Sequence, residues 1–361
     1  MRFIKQVQYR DERLIIQNQL PVIVMSKFDL LEQTLLGNLD DTVPISLWRH
    51  YPYMDRTPEG LAEAEEAFHR VYDHDVMKIS FHGRYPVVDW GCMAVYDGAI
   101  SGSTTCSSCV IEQMSDWEVL EPLDVNSGEF GRQLRAVELI RDYAHGTVPT
   151  LATIFDSPMV ASKLCYGTLT QYINEYPDVM KSVLEMINNV MIDFGRATLD
   201  AGADGVFIAS QHSTRLTVSD EQYDEFVYPF DNKLISALRG KARYVVMHLH
   251  AQDPDDQVRF QKIANTPGIS ALNWEDQTAW PSLGEGKKIS RKTVFGGIDH
   301  NNTLRRGTPD DVKEQIDNTA EEAGLESLVF APGCVITVDT PDENLAALVR
   351  VVRSLDPFDF Q

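Results

Sequence analysis

The chain has 361 residues, 43% of them hydrophobic and 24% charged, enough apolar material for one large core or two smaller ones. Its 54 acidic residues against 32 basic give a net charge of −22, which repels phosphate backbones and anionic lipid surfaces and argues against nucleic acid as a partner. No apolar run approaches the roughly 20 residues that cross a bilayer, the first ten residues scatter charges where a signal peptide would be apolar, and the five cysteines are odd in number; a soluble, cytoplasmic protein without a disulfide framework and without membrane contact is expected.

Residues 1–40 read as an N-terminal extension, helical around 30–36, covering the bottom or side of the main fold. From there, short β-rich runs alternate with amphipathic stretches, the pattern of parallel strands joined by helical crossovers. Eight strands are expected, at 43–47, 76–80, 150–155, 205–209, 244–248, 269–274, 293–298 and 328–331. Most are continuously apolar, as strands covered on both faces must be. Between them, Thr57-Pro58-Glu59 opens a first helix, a long helix runs from about 177 to 199 with Gly202 suited to a left-handed cap, Ser219 to Gln222 and Thr340 to Glu343 have capping-box spacing, and Pro309 and Pro341 suit a first helical turn. The expected fold is a single α/β domain over 1–361, a (β/α)8 TIM barrel; an open doubly wound sheet is the alternative. Residues 87–116, rich in Gly, Ser and Thr, break the rhythm between strands two and three and read as an excursion over the barrel rim. Within it, Cys106-Ser-Ser-Cys109 lacks the helix of a redox motif and is expected to be a surface loop or hairpin.

In a barrel the chemistry sits at the carboxyl ends of the strands, and here those ends are polar. They carry Arg49-His50-Tyr51, His82, Asp156, Gln211-His212, His248-Leu249-His250, Glu275-Asp276, Asp299-His300 and Gly333-Cys334, so six of the nine histidines lie there. His248 and His250, two apart on a strand, project from the same face, and Cys334 is a soft donor that could complete a His/His/Cys metal site. Glu275 is the candidate fourth ligand, with Asp276 the alternate. Glu275, His212 and His82 are also candidates for catalytic work, and Arg49, Tyr53, Trp274 and Asp299 for substrate contact, with Asp299 and His300 able to orient a ligand through a hydrogen bond.

The segments Asp204 to Ala209 (DGVFIA), Ser219 to Pro229 (SDEQYDEFVYP), Phe295 to Asp299 (FGGID) with Arg306 to Pro309 (RGTP), and Ala331 to Cys334 (APGC) leading to Thr340 to Asn344 (TPDEN) follow one another in an order that resembles the uroporphyrinogen decarboxylase superfamily over roughly residues 28–355. That superfamily includes zinc-containing, cobalamin-dependent methyltransferases, and the resemblance to that branch is the closer one. The decarboxylases place an arginine pair after strand one and an aspartate after strand two; here Tyr53 stands at the second arginine and Ser80-Phe81 follow strand two. The methyltransferases show His-x-Cys after strand five and a cysteine after strand eight. His248 and Cys334 match, while His250 stands where a cysteine is usual. The resemblance therefore implies a zinc (Zn2+) site at His248, His250 and Cys334, a methyl group passed between a small-molecule donor or acceptor and a corrinoid (cobalamin), and a corrinoid protein as partner, since no cobalamin-binding domain is evident in this chain. The chain could also pair as a homodimer. With one thiolate rather than two, bound zinc would be formally +1 and a stronger Lewis acid, better matched to an oxygen of an ether or alcohol than to a thiolate. A decarboxylase acting on a tetrapyrrole or other polycarboxylate is the alternative activity, and a noncatalytic ligand-binding relative the third.

Overall fold

The computed structural model describes residues 7–10, 13–16, 25–38, 42–144, 146–251, 256–356 and 360. Eight parallel strands form its centre: β1 (Ser46–Leu47), β2 (Val76–Ile79), β3 (Thr150–Phe155), β4 (Gly205–Ser210), β5 (Tyr244–Leu249), β6 (Ala271–Trp274), β7 (Thr293–Ile298) and β8 (Leu328–Pro332). Each pairs with the next in chain order. The ring closes where Ile45 bridges Phe330 in parallel and the Phe330 amide donates to the Pro44 carbonyl at 2.9 Å. An open doubly wound sheet would leave those edges apart, so the barrel replaces that alternative.

The apolar strands split their side chains between two cores. Inward-facing Trp48, Val76, Leu151, Phe207, Val246, Ala271, Phe295 and Val329 fill the barrel, while the opposite faces pack against the surrounding helices. This double burial is why the strands are apolar throughout rather than alternating. Helix Lys27–Leu35 inserts Leu31 into the inner core from below; at the starts of β7 and β5, Thr293 donates to the Thr34 carbonyl (3.1 Å) and Arg243 pairs with Glu32. The N-terminal end is thereby plugged and the carboxyl end is left for chemistry.

The local signals act mostly as the sequence suggests. Thr57 caps helix Pro58–Tyr72, Ser219 and Gln222 cap Asp220–Phe226 reciprocally, and helix Pro177–Asp200 is followed by Gly202 at φ 113°. Two expectations are corrected. β1 is two residues long rather than five, because Pro44 has no amide to donate and the Ile45 amide is taken by the Asp75 carboxylate at 2.8 Å. Thr340 caps nothing: its hydroxyl bonds Thr337 at 2.8 Å, and the last helix, Asp342–Val352, begins after Pro341.

Between β2 and β3, strands Met93–Val95 and Thr105–Ser108 form an antiparallel hairpin with a bulge after Met93. Its loop lies against the barrel rim, where the Val338 amide donates to the Ile100 carbonyl (2.8 Å). Gly102, at φ 73°, sits so close that a Cβ would meet His50 at 3.0 Å and Val338 at 2.9 Å. Among the described residues, no helix is long and apolar enough to cross a membrane.

Candidate metal centre

At the carboxyl end of the barrel, β5 delivers His248, the residue after β5 is His250, the residue after β6 is Glu275, and the turn after β8 delivers Cys334. One ligand atom from each lies within 4.8 Å of all the others. The Cys334 Sγ is 3.5 Å from His250 Nδ1 and 3.8 Å from His248 Nε2, and the Glu275 carboxylate is 2.7 Å from His250 Nδ1. Two imidazoles, a thiol and a carboxylate are donors of the kinds zinc takes, and their spacing would let one ion touch all four.

Neighbouring groups fix the donors. Asn273 on β6, level with His248 in the register, donates its Nδ2 to the carbonyls of Phe295 (2.9 Å) and Pro332 (3.1 Å). That leaves its Oδ1 as an acceptor 2.6 Å from His248 Nδ1, so Nδ1 carries the proton and the Nε2 lone pair faces Cys334. Phe207 stacks on the same imidazole, centroids 5.5 Å apart and planes 26° from parallel. Burial alone would raise the Cys334 thiol, yet the charge of His250 overrides it and brings the thiol down to about 5. Burial likewise works against the Glu275 carboxylate, which the His250 ion pair nevertheless pulls down to about 2, while His250 itself is driven well above the usual imidazole value despite its burial, by Glu275 and Cys334. Glu275 is held further by the Ala251 amide at 2.8 Å.

A cavity of about 200 Å³ opens beside these donors, walled by Trp48, Phe155, Met159 and Phe207 and by the two lysines Lys78 and Lys163. Burial lowers Lys78 to about 8 and, with Arg84 adding to it, Lys163 to about 7. The Lys78 ammonium lies 5.2 Å from the Phe207 ring centroid. Ser101 and Ser103, from the hairpin loop, form part of its wall.

Of the residues singled out from the sequence, His248, His250, Cys334 and Glu275 come together. The others stand elsewhere. His82 is turned into the protein, where its Nε2 meets Glu129 at 3.0 Å; burial would raise Glu129, but His82 and Arg132 hold it at about 2. His212 is buried beside the cavity without lining it, and burial together with Lys163 lowers it to about 4. Arg49 gives its guanidinium to the Val338 carbonyl (2.9 Å), on an outer groove it shares with Tyr53, which is 85% exposed and set edge-on to Tyr96. Trp274 is fully buried, its indole donating to the Pro281 carbonyl (2.7 Å), because β6 points it outward against Phe260. Asp299 caps a turn by accepting from the Asn301 and Asn302 amides, both at 2.8 Å, and His300 stays beside Asn301. Asp276 accepts from the Gly297 amide and is pushed by burial to about 7, facing away from the donors. Sequence reasoning passed over Asn273, Lys78 and Lys163; a lysine inside the apolar run Val76-Met77-Lys78-Ile79 was the one available signal.

The uroporphyrinogen decarboxylase (URO-D) family profile matches residues 48–355. Among characterised relatives, methylcobamide:CoM methyltransferase MtbA of Methanosarcina acetivorans is 20% identical over 314 residues, covering 84% of this chain and 87% of that one. Methylcobamide:CoM methyltransferase MtaA of Methanosarcina barkeri is 26% identical over 219 residues, covering 60% and 61%. Among solved structures, a methyltransferase from Methanosarcina mazei superposes with a TM-score of 0.79 at 21% identity, covering 91% of this chain and 98% of that one. The barrel, its strand order and the profile match over 48–355 place the chain in the uroporphyrinogen decarboxylase family.

Proposed function

We propose that the chain is a zinc-dependent methyltransferase, moving a methyl group between a small substrate and a corrinoid carried by a partner protein. The observation that carries this is the His248, His250, Cys334 and Glu275 cluster beside a small cavity at the barrel mouth. The methyltransferase names of the relatives support it, and so does the position of Arg49, whose guanidinium is spent on a backbone carbonyl outside the cavity rather than on a substrate carboxylate. A space of about 200 Å³ suits a molecule smaller than a drug-sized ligand better than a tetrapyrrole.

His248, held in one tautomer by Asn273, His250 and the Cys334 thiolate would hold zinc, with Glu275 as the fourth donor that gives way to substrate. The ion would act as a Lewis acid on the heteroatom bearing or receiving the methyl group. Lys78 and Lys163 stand in the same wall, where an anionic end of the substrate would favour their charged forms. Trp48, Phe155, Met159 and Phe207 would keep water from the methyl group. With one thiolate in the set, an oxygen-bearing methyl compound is the favoured substrate.

Purified protein is expected to hold zinc at this cluster and to exchange methyl groups with free cobalamin. His250→Ala should lose both metal and turnover, whereas His250→Cys should keep the metal and shift preference toward thiols. Uroporphyrinogen should be recovered with its carboxylates intact. Stepwise decarboxylation, or a His248→Ala/His250→Ala/Cys334→Ala variant that still turns over methylcobalamin, would defeat the proposal.

A further inference from the structure

The hairpin over the rim has its own cluster of thiols. Cys92 ends the turn before strand Met93–Val95, Cys106 lies within Thr105–Ser108, and Cys109 follows it; the three sulfurs all lie within 4.8 Å of one another. Cys92 and Cys109 are buried and Cys106 is half-buried. From this convergence we infer a second metal site, in which Cys92, Cys106 and Cys109 bind zinc and clamp the base of the hairpin.

The chemistry fits the geometry. Zinc–sulfur bonds of about 2.3 Å at tetrahedral angles set sulfurs about 3.8 Å apart, inside the 4.8 Å that bounds their separations here. Three thiols meet here, whereas a disulfide would use two and strand the third. Arg84 and Lys163 line the cleft that Cys106 and Cys109 border, and the Arg84 guanidinium brings a fixed positive charge to the thiolates. Without metal, burial pushes the Cys92 thiol up to about 12 and the Cys109 thiol to about 11, which leaves them poor nucleophiles. Zinc would displace their protons to water, and a water from the cleft would fill the fourth position.

The hairpin has reason to need a clamp. Strands of three and four residues, with outward side chains largely in solvent, make a ribbon that is marginal by itself. Yet its loop places Ser101 and Ser103 in the wall of the substrate cavity and binds the rim at Val338. Fixing Cys92 to Cys106 and Cys109 joins both strands at their open end, so the loop is held where the substrate must enter.

The test is zinc loading of the intact protein, followed by desalting and metal analysis. The wild type should carry about two zinc ions per chain, one for each donor set. The His248→Ala/His250→Ala/Cys334→Ala variant should keep one and, loaded with cobalt(II) instead, should show a near-ultraviolet thiolate-to-cobalt band that Cys106→Ser abolishes. As a check that needs no variant, Cys106 in the wild type should resist alkylation until the zinc is chelated. One zinc per chain in the wild type with Cys106 alkylated equally fast before and after chelation overturns the inference, as does a disulfide between any two of the three in freshly purified protein. Loss of the mouth site alone would leave the hairpin zinc in place, so the two proposals fail separately.

Discussion

Asn273 does for the candidate metal centre what a histidine ligand cannot do for itself. By spending both amide hydrogens on backbone carbonyls, it presents only oxygen to His248 and thereby chooses the tautomer. Asn273→Ala is expected to weaken zinc binding by about 10- to 100-fold, as removal of an orienting partner usually does, while Asn273→Asp, which keeps the acceptor toward His248 but sets a carboxylate oxygen against the Phe295 and Pro332 carbonyls, should fall between wild type and Asn273→Ala. A chelator-competition titration reads both, and equal affinities for wild type and Asn273→Ala would contradict the assignment. The convergence of His248 and His250 was legible because a His-x-His at a strand end needs only period-two geometry. Asn273 was not, since its role depends on the register that sets β6 against β5. Tyr53 and Trp274 misled for the opposite reason: position at a strand end says nothing of which way a side chain points, and theirs point to solvent and to the outer core.

At the scale of elements, helices were legible through their caps and strands through their apolar runs, but buried polar contacts between elements were not. Helix Tyr228–Leu238 buries Asp231 against Asp156, the residue that caps helix Ser157–Leu164 by accepting from the Met159 amide (2.7 Å). Burial, and then the Asp156 carboxylate, push Asp231 well above the usual range; burial also raises Asp156, to about 6. Both groups hold protons more tightly folded than unfolded, so their contribution is fully present below the unfolded value of about 3.9 and is lost as pH rises toward the folded values. Each costs at most about 1.4 kcal/mol per pH unit over that window. Asp231→Asn keeps a donor and removes one of the two ionisations, so urea unfolding should show it gaining on the wild type between pH 5 and pH 8. A gap between the two proteins that stays constant with pH would show that the pair does not titrate this way.

The molecule as a whole joins a closed, doubly covered barrel to a strongly acidic exterior, and these respond differently to conditions. Eight apolar runs in sequence announced the barrel because each must be buried on both faces; its closure rests on the Ile45 to Phe330 bridge, a long-range contact that no local pattern encodes. The charge was legible as a number, and its consequence is energetic rather than architectural. With 54 acidic residues against 32 basic, 22 negative charges lack a compensating partner and repel one another across the surface. Added salt acts on two opposing terms: it weakens exposed pairs such as Lys313–Asp317 and Arg70–Glu66, which contribute little in water, and it screens the repulsion. The Debye length falls from about 30 Å at 0.01 M to about 8 Å at 0.15 M, so distant like charges are relieved while close pairs keep much of their attraction. Repulsion is the term that loses more. The Tm of the zinc-loaded protein should therefore rise by a few degrees between 10 and 300 mM sodium chloride, by calorimetry at fixed pH. A Tm that falls over the same range would mean that the surface ion pairs, and not the excess charge, dominate the electrostatics of this fold.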